Sequence, residues 1–145
     1  MANAVTIDVL DADTRKRLNA LALAARTRLL AASIRPVARQ FLPALKGATP
    51  AGETGNLKRS MTQKIARYAG AGVAIGFMGP NWWNKGRHGH LVSGGTKQRF
   101  TKAGANRGMM PADPFFENWY RGNEAAMEQS LTASLKTEIE KEWGK

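Results

Sequence analysis

The chain contains no cysteine. That absence excludes a disulfide framework, a thiolate metal site and a cysteine nucleophile. Acidic residues are missing from its middle: between Glu53 and Asp113 there is no aspartate or glutamate. Apolar runs long enough to span a bilayer are absent, and Met1–Leu10 lacks the basic start and apolar centre of a signal peptide. The expectation is a soluble protein, made in the cytoplasm and not bound to a membrane. No internal repeat or low-complexity tract is present.

What remains is a chain of 145 residues with 43% apolar side chains, enough for one domain with a hydrophobic core. The formal charge of +11 is unevenly placed. Residues 1–46 carry 8 basic and 3 acidic side chains, residues 47–111 carry 10 and 1, and residues 112–145 carry 4 and 7. The segment charges are thus +5, +9 and −3, summing to +11. A cationic block of this size points to an anionic neighbour, either nucleic acid or an acidic protein surface. A plain solvated basic face would carry the same signature.

Residues 1–12 read as a flexible N-terminal arm in which Val5, Ile7 and Val9 alternate. From residue 13 to residue 145 the pattern is that of a single domain. Asp13 or Thr14 can cap a first helix, along which Leu18, Leu21, Ala22, Ala25, Leu29 and Ala32 recur at helical spacing. Pro36 is expected to interrupt it and to open a second, shorter helix through Val37, Phe41 and Leu45. Ala48–Gly55 is a loop by composition. Leu57–Tyr68 reads as a strand with Met61 and Ile65 inward. Gly70-Ala-Gly72 then makes a turn into Val73, Ile75 and Phe77, giving an antiparallel hairpin.

Gly79–Pro111 is glycine-rich and carries Lys85, Arg87, Lys97, Arg99, Lys102 and Arg107. It reads as an irregular loop, mobile until a partner orders it. Trp82 and Trp83 can anchor that loop or be presented to a neighbouring subunit. Asp113 and Pro114 suit the cap and first residue of a last helix, with Phe115, Trp119, Met127, Leu131, Leu135 and Ile139 along its buried side. Gly122-Asn123 is expected to weaken or kink it.

His88 and His90 open the one stretch with chemical potential, His-Gly-His-Leu-Val-Ser-Gly-Gly-Thr. On extended backbone both rings would project to one side, and Asp113 or Glu117 would have to supply a third metal ligand. Nothing in the spacing brings them together. The competing reading is a structural turn that locks a small sheet. Gly94-Gly95-Thr96-Lys97 lacks the spacing of a phosphate-binding loop.

Three blocks in order, Thr-Pro-Ala-Gly-Glu-Thr-Gly-Asn-Leu-Lys-Arg-Ser (Thr49–Ser60), His-Leu-Val-Ser-Gly-Gly-Thr (His90–Thr96) and Met-Pro-Ala-Asp-Pro-Phe-Phe (Met110–Phe116), resemble a family of small virion proteins. These are the minor tail, tail-completion or head–tail joining (neck) proteins of long-tailed bacteriophages. With the flanking helices, the resemblance covers most of the chain from about Asp13. The chain departs from the family's middle block, having Ser93 and Gly94 where a glutamate and an aromatic usually stand.

The resemblance implies an α+β domain, a small antiparallel β-sheet packed by a long N-terminal helix and a C-terminal helix. It implies an oligomeric ring at the head–tail junction of the virion, with other connector or tail proteins and packaged DNA nearby. No enzymatic activity, cofactor or metal is implied. The charge asymmetry makes Trp82, Trp83, Arg87, Lys97 and Arg99 the expected interface on one side, and Glu124 and Glu128 on the other. A basic nucleic-acid-binding module is the alternative, and a metal-dependent nuclease using His88 and His90 a third.

Overall fold

The structure is a computed structural model that describes residues 11–144. The expected arm falls almost wholly outside the described residues. The elements are α1 (Ala12–Ala20), α2 (Leu23–Ala48), α3 (Asn56–Ser60), β1 (Met61–Tyr68), β2 (Val73–Pro80), α4 (Gly89–Gly94) and α5 (Phe115–Trp143). The class is α+β: a two-stranded antiparallel sheet with a long helix from the N-terminal part and a long C-terminal helix. The chain folds as two compact units, one built from residues through Phe41, Lys64–Phe77 and Glu124 onward, the other from Leu42–Gln63 and Met78–Asn123.

In the first unit Leu18, Leu29, Leu135 and Ile139 form a buried cluster, with Leu21 and Leu30 packed against it. Each fully buried leucine or isoleucine contributes about 1.5–3 kcal/mol. The helical spacing of Leu135 and Ile139 puts both on one face of α5. Ser134 on that helix donates its hydroxyl to the Ser33 carbonyl of α2 at 2.9 Å. The sheet is tied to α2 at the hairpin turn. Arg26 donates Nε to the Gly72 carbonyl (3.0 Å) and Nη2 to the Ala71 carbonyl (3.3 Å). Midway along β2, Gly76 lies against the Ile34 side chain.

Several local expectations are corrected. The first helix is capped by Asp11, whose Oδ1 accepts the Thr14 N–H at 2.9 Å, rather than by Asp13 or Thr14. It ends at Leu21, which is extended, and α2 begins anew at Leu23. No glycine or proline marks that break.

Pro36 does not divide α2; the helix runs through both Pro36 and Pro43. Both prolines are exposed. Burial of Ala31, Val37, Ala38, Phe41 and Leu45 along the same helix offsets the cost of about 3 kcal/mol per interior proline. Likewise α5 passes Gly122 unbroken, and Asn123 donates its side-chain amide back to the Trp119 carbonyl at 2.8 Å. That helix begins at Phe115, one residue later than expected, with the Pro114 carbonyl accepting the Asn118 N–H.

The expected strand Leu57–Tyr68 is a turn of helix followed by a strand. Gly55 in a left-handed conformation (φ 62°) starts α3, and Leu57, Ser60 and Met61 are buried at helical rather than alternating spacing.

Candidate functional site

The second unit holds the cationic segment, and its frame is made of backbone. Asn81 donates its N–H to the Ser60 carbonyl at 2.8 Å. Its own carbonyl accepts the N–H groups of Asn84 (3.1 Å) and Gly86 (3.0 Å), closing a wide turn over Trp82–Gly86. Gly86 is buried in that turn. A Cβ on it would lie 2.5 Å from the Asn81 carbonyl oxygen and 2.8 Å from Ser60 Oγ. Lys85 carries a left-handed backbone (φ 61°), a conformation that costs a side-chain-bearing residue about 1–2 kcal/mol.

The stretch His88–Thr96 is neither extended nor a sheet-locking turn. Gly89–Gly94 is a short helix, α4, and His88 precedes it. The His90 ring stacks on Trp82 with centroids 6.1 Å apart and planes inclined by 22°. The two histidines therefore do not present a paired ligand set on extended backbone. Among the described residues, no three of His, Asp and Glu are grouped to hold a metal ion.

After α4 the chain turns at Gly95 (φ 71°, ψ −177°) and runs out and back as a short hairpin. At its base Thr96 donates N–H to the Met110 carbonyl, and the Met110 N–H donates to Thr96 Oγ1, both at 2.9 Å. Further out, Arg99 and Arg107 exchange hydrogen bonds with the opposite arm, and Phe100 bridges to Asn106. The Thr101 carbonyl accepts the Gly104 N–H at the tip. The supposedly irregular segment is thus a wide turn, a helix and a hairpin. Its sequence signal was masked by seven glycines, Gly95, Gly104 and Gly108 among them with left-handed φ.

On this frame Lys85, Arg87, Lys97, Arg99, Lys102 and Arg107 are all exposed. The first unit holds ion pairs such as Arg17–Asp13 and Lys136–Asp11. Nothing acidic within the segment neutralises its cations. Trp83 is 86% exposed and Trp82 53% exposed. Sequence reasoning missed Phe100 and Met109, two large apolar side chains exposed on the hairpin. Their signal was weak: isolated apolar residues among glycines and cations.

Glu124 and Glu128 belong to the first unit, on α5, and both are half-buried. Glu124 is already engaged by another group of its own chain. Buried without a hydrogen-bond partner among the described residues are Gln63 Oε1 and the Trp119 indole N–H, both in the second unit. No helix among the described residues is long and apolar enough to cross a membrane. No family model, curated protein or solved structure matches the chain.

Proposed function

We infer that the chain is a non-enzymatic virion structural protein of a long-tailed phage. It acts at the head–tail junction, in tail completion or head–tail joining, by assembling into a ring. The observation that carries this reading is the role of two of the three resembling blocks. Residues of His90–Thr96 and Met110–Phe116 are stitched to each other by backbone hydrogen bonds: Thr96 to Met110 at 2.9 Å, and Asp113 N–H to the Val92 carbonyl at 3.0 Å. They frame the cationic hairpin. A resemblance located in a frame suits a protein that works by its shape and surface.

In the ring, Arg87, Lys97 and Arg99 of one subunit face an acidic surface of a neighbour, with Glu128 and Glu124 as candidates. Exposed ion pairs contribute about 0–1 kcal/mol each, so Trp82 and Trp83 must supply apolar contact as well. Sedimentation and electron microscopy of the purified chain test the proposal. Closed rings are expected, weakened by salt and by reversing Arg87, Lys97 and Arg99 to glutamate. His88→Ala with His90→Ala is expected to leave them intact. Rings that persist unchanged in the triple reversal would refute the charge-based contact, and a chain that forms no rings would refute the reading.

The acid-free cationic block with exposed Trp83 favours a second reading, binding to nucleic acid. Engaging all six cations on duplex DNA would give a log–log salt slope of about −5. Retention of DNA with that slope, and no rings, would select it.

A further inference from the structure

Among the described residues the sheet has two strands, and they differ in what they expose. β1 carries Lys64 and Arg67, charged side chains of the kind that keep a free strand edge from pairing. β2, with the sequence Val-Ala-Ile-Gly-Phe-Met-Gly-Pro, carries no charge. From Tyr68 to Asn84 the chain has no Asp, Glu, Lys or Arg, in a protein that is 23% charged overall. Along β2 the bulky members of the alternating set point away from the helix. Gly76 faces Ile34, whereas Val73, Ile75 and Phe77, on the opposite face, are 40%, 40% and 51% exposed. Among the described residues no third strand covers the outer edge of β2.

We propose that β2 is a self-association edge, pairing antiparallel with β2 of a second copy about a two-fold axis at Ile75. The pairing joins two hairpins into a four-stranded sheet. Ile75 then faces its own counterpart, and Val73 of each copy faces Phe77 of the other, a β-branched residue against an aromatic one. The occupant is argued from charge. A foreign partner adapted to a chain of net charge +11 would be acidic, and its docking surface here would show cations to meet it. β2 shows none, and it is the place where two equally cationic copies can meet without opposing like charges. The outward N–H and C=O groups of an edge strand are matched by another strand. Three apolar side chains per copy fall short of the roughly 800 Å² per partner typical of stable interfaces. The dimer is accordingly weak and concentration-dependent. Its salt response is the reverse of the ring contact above: added salt screens the repulsion between cationic copies and strengthens it. The two proposals therefore fail separately.

The missing cysteines make the test direct. Ile75→Cys introduces the sole thiol, and mild oxidation of the purified full chain is expected to yield a covalent dimer, because residues on the axis lie within disulfide reach. Lys64→Cys on β1 is expected to stay monomeric under the same oxidation. In sedimentation, wild-type dimer content rises with salt, and Ile75→Lys, which enters the dimer twice, raises the dissociation constant about a hundredfold. Circular dichroism and thermal unfolding verify that each variant is folded. Three results would overturn the proposal: an Ile75→Cys chain that does not cross-link, a cross-link formed only between Lys64→Cys and Ile75→Cys copies, or a wild type monomeric at every salt and concentration.

Discussion

The α-carbon of Gly76 on β2 lies so near Ile34 of α2 that a Cβ there would sit 2.6 Å from Ile34 Cγ2. The sheet touches the helix through the absence of a side chain. Gly76→Ala is therefore expected to destabilise the protein by about 1–3 kcal/mol through overpacking. Ile34→Ala alone also destabilises, by leaving a gap. Combined, the two should cost clearly less than their sum, since each relieves the other's fault. Denaturant titration of the four species measures this coupling, and strict additivity would place the contact elsewhere.

The adjacent glycines at the end of α4 are expected to behave in opposite ways. Gly94 has nothing within 4 Å of a would-be Cβ, and Gly94→Ala should change stability by no more than about 0.5 kcal/mol. Gly95 combines φ 71° and ψ −177°, a region essentially reserved for glycine, with a Cβ position 2.8 Å from the Ala112 nitrogen and 2.9 Å from the Met110 oxygen. Its replacement by alanine should cost at least about 1–3 kcal/mol from the backbone alone. Thermal unfolding of the two variants side by side tests the distinction.

Acid should uncap α1. The backbone hydrogen bond from Thr14 to Asp11, then the bond from the Thr14 hydroxyl, and then Lys136 hold the Asp11 carboxyl at about 2, below its ordinary 3.8. Because the folded value is the lower one, the stabilisation is complete above pH about 4. It is lost as pH falls toward 2, where the folded state takes up the proton the unfolded chain already holds. Asp11→Asn keeps an oxygen acceptor for the cap without titrating. The stability difference between wild type and Asp11→Asn should shrink from pH 4 to pH 2; a difference that stays flat would contradict the cap.

Hydrogen exchange should divide the cationic hairpin. The N–H groups of Thr96, Met110, Arg99 and Arg107 are hydrogen-bonded across its arms. They are expected to exchange more slowly than Lys102 and Ala103 at the tip. Uniformly fast exchange from Thr96 to Met110 would mean that the hairpin forms only against a partner, as the glycine content of the segment suggested.

Strongly periodic or strongly punctuated features were legible in the sequence. The buried side of α5, with Phe115, Trp119, Met127, Leu135 and Ile139, follows from spacing alone. The hairpin follows from glycines between two apolar runs, and Gly72 is left-handed (φ 65°) as such a turn requires. Pro36 misled because its penalty is local, whereas the burial of Val37, Ala38 and Phe41 that outweighs it is tertiary. The five residues of α3 are too few to show a period against the strand that follows. At the candidate site, composition revealed the cations and tryptophans. It could not reveal that Gly86 is shaped by Ser60 and Asn81, or that His90 has Trp82 as its neighbour, because those relations arise from the path of the chain between them.

The clasp at the base of the hairpin makes charge and placement separable by mutation. Lys97, Arg99, Lys102 and Arg107 lie on a hairpin whose base is closed by two hydrogen bonds between Thr96 and Met110, one through the Thr96 hydroxyl. Thr96→Val removes that hydroxyl bond while leaving every charge in the chain unchanged. A partner that responds to summed charge alone would be blind to the substitution, whereas one that reads the spatial arrangement of the four cations would discriminate against it. Geometry and electrostatics, confounded in any charge reversal, become independent variables at this one side chain.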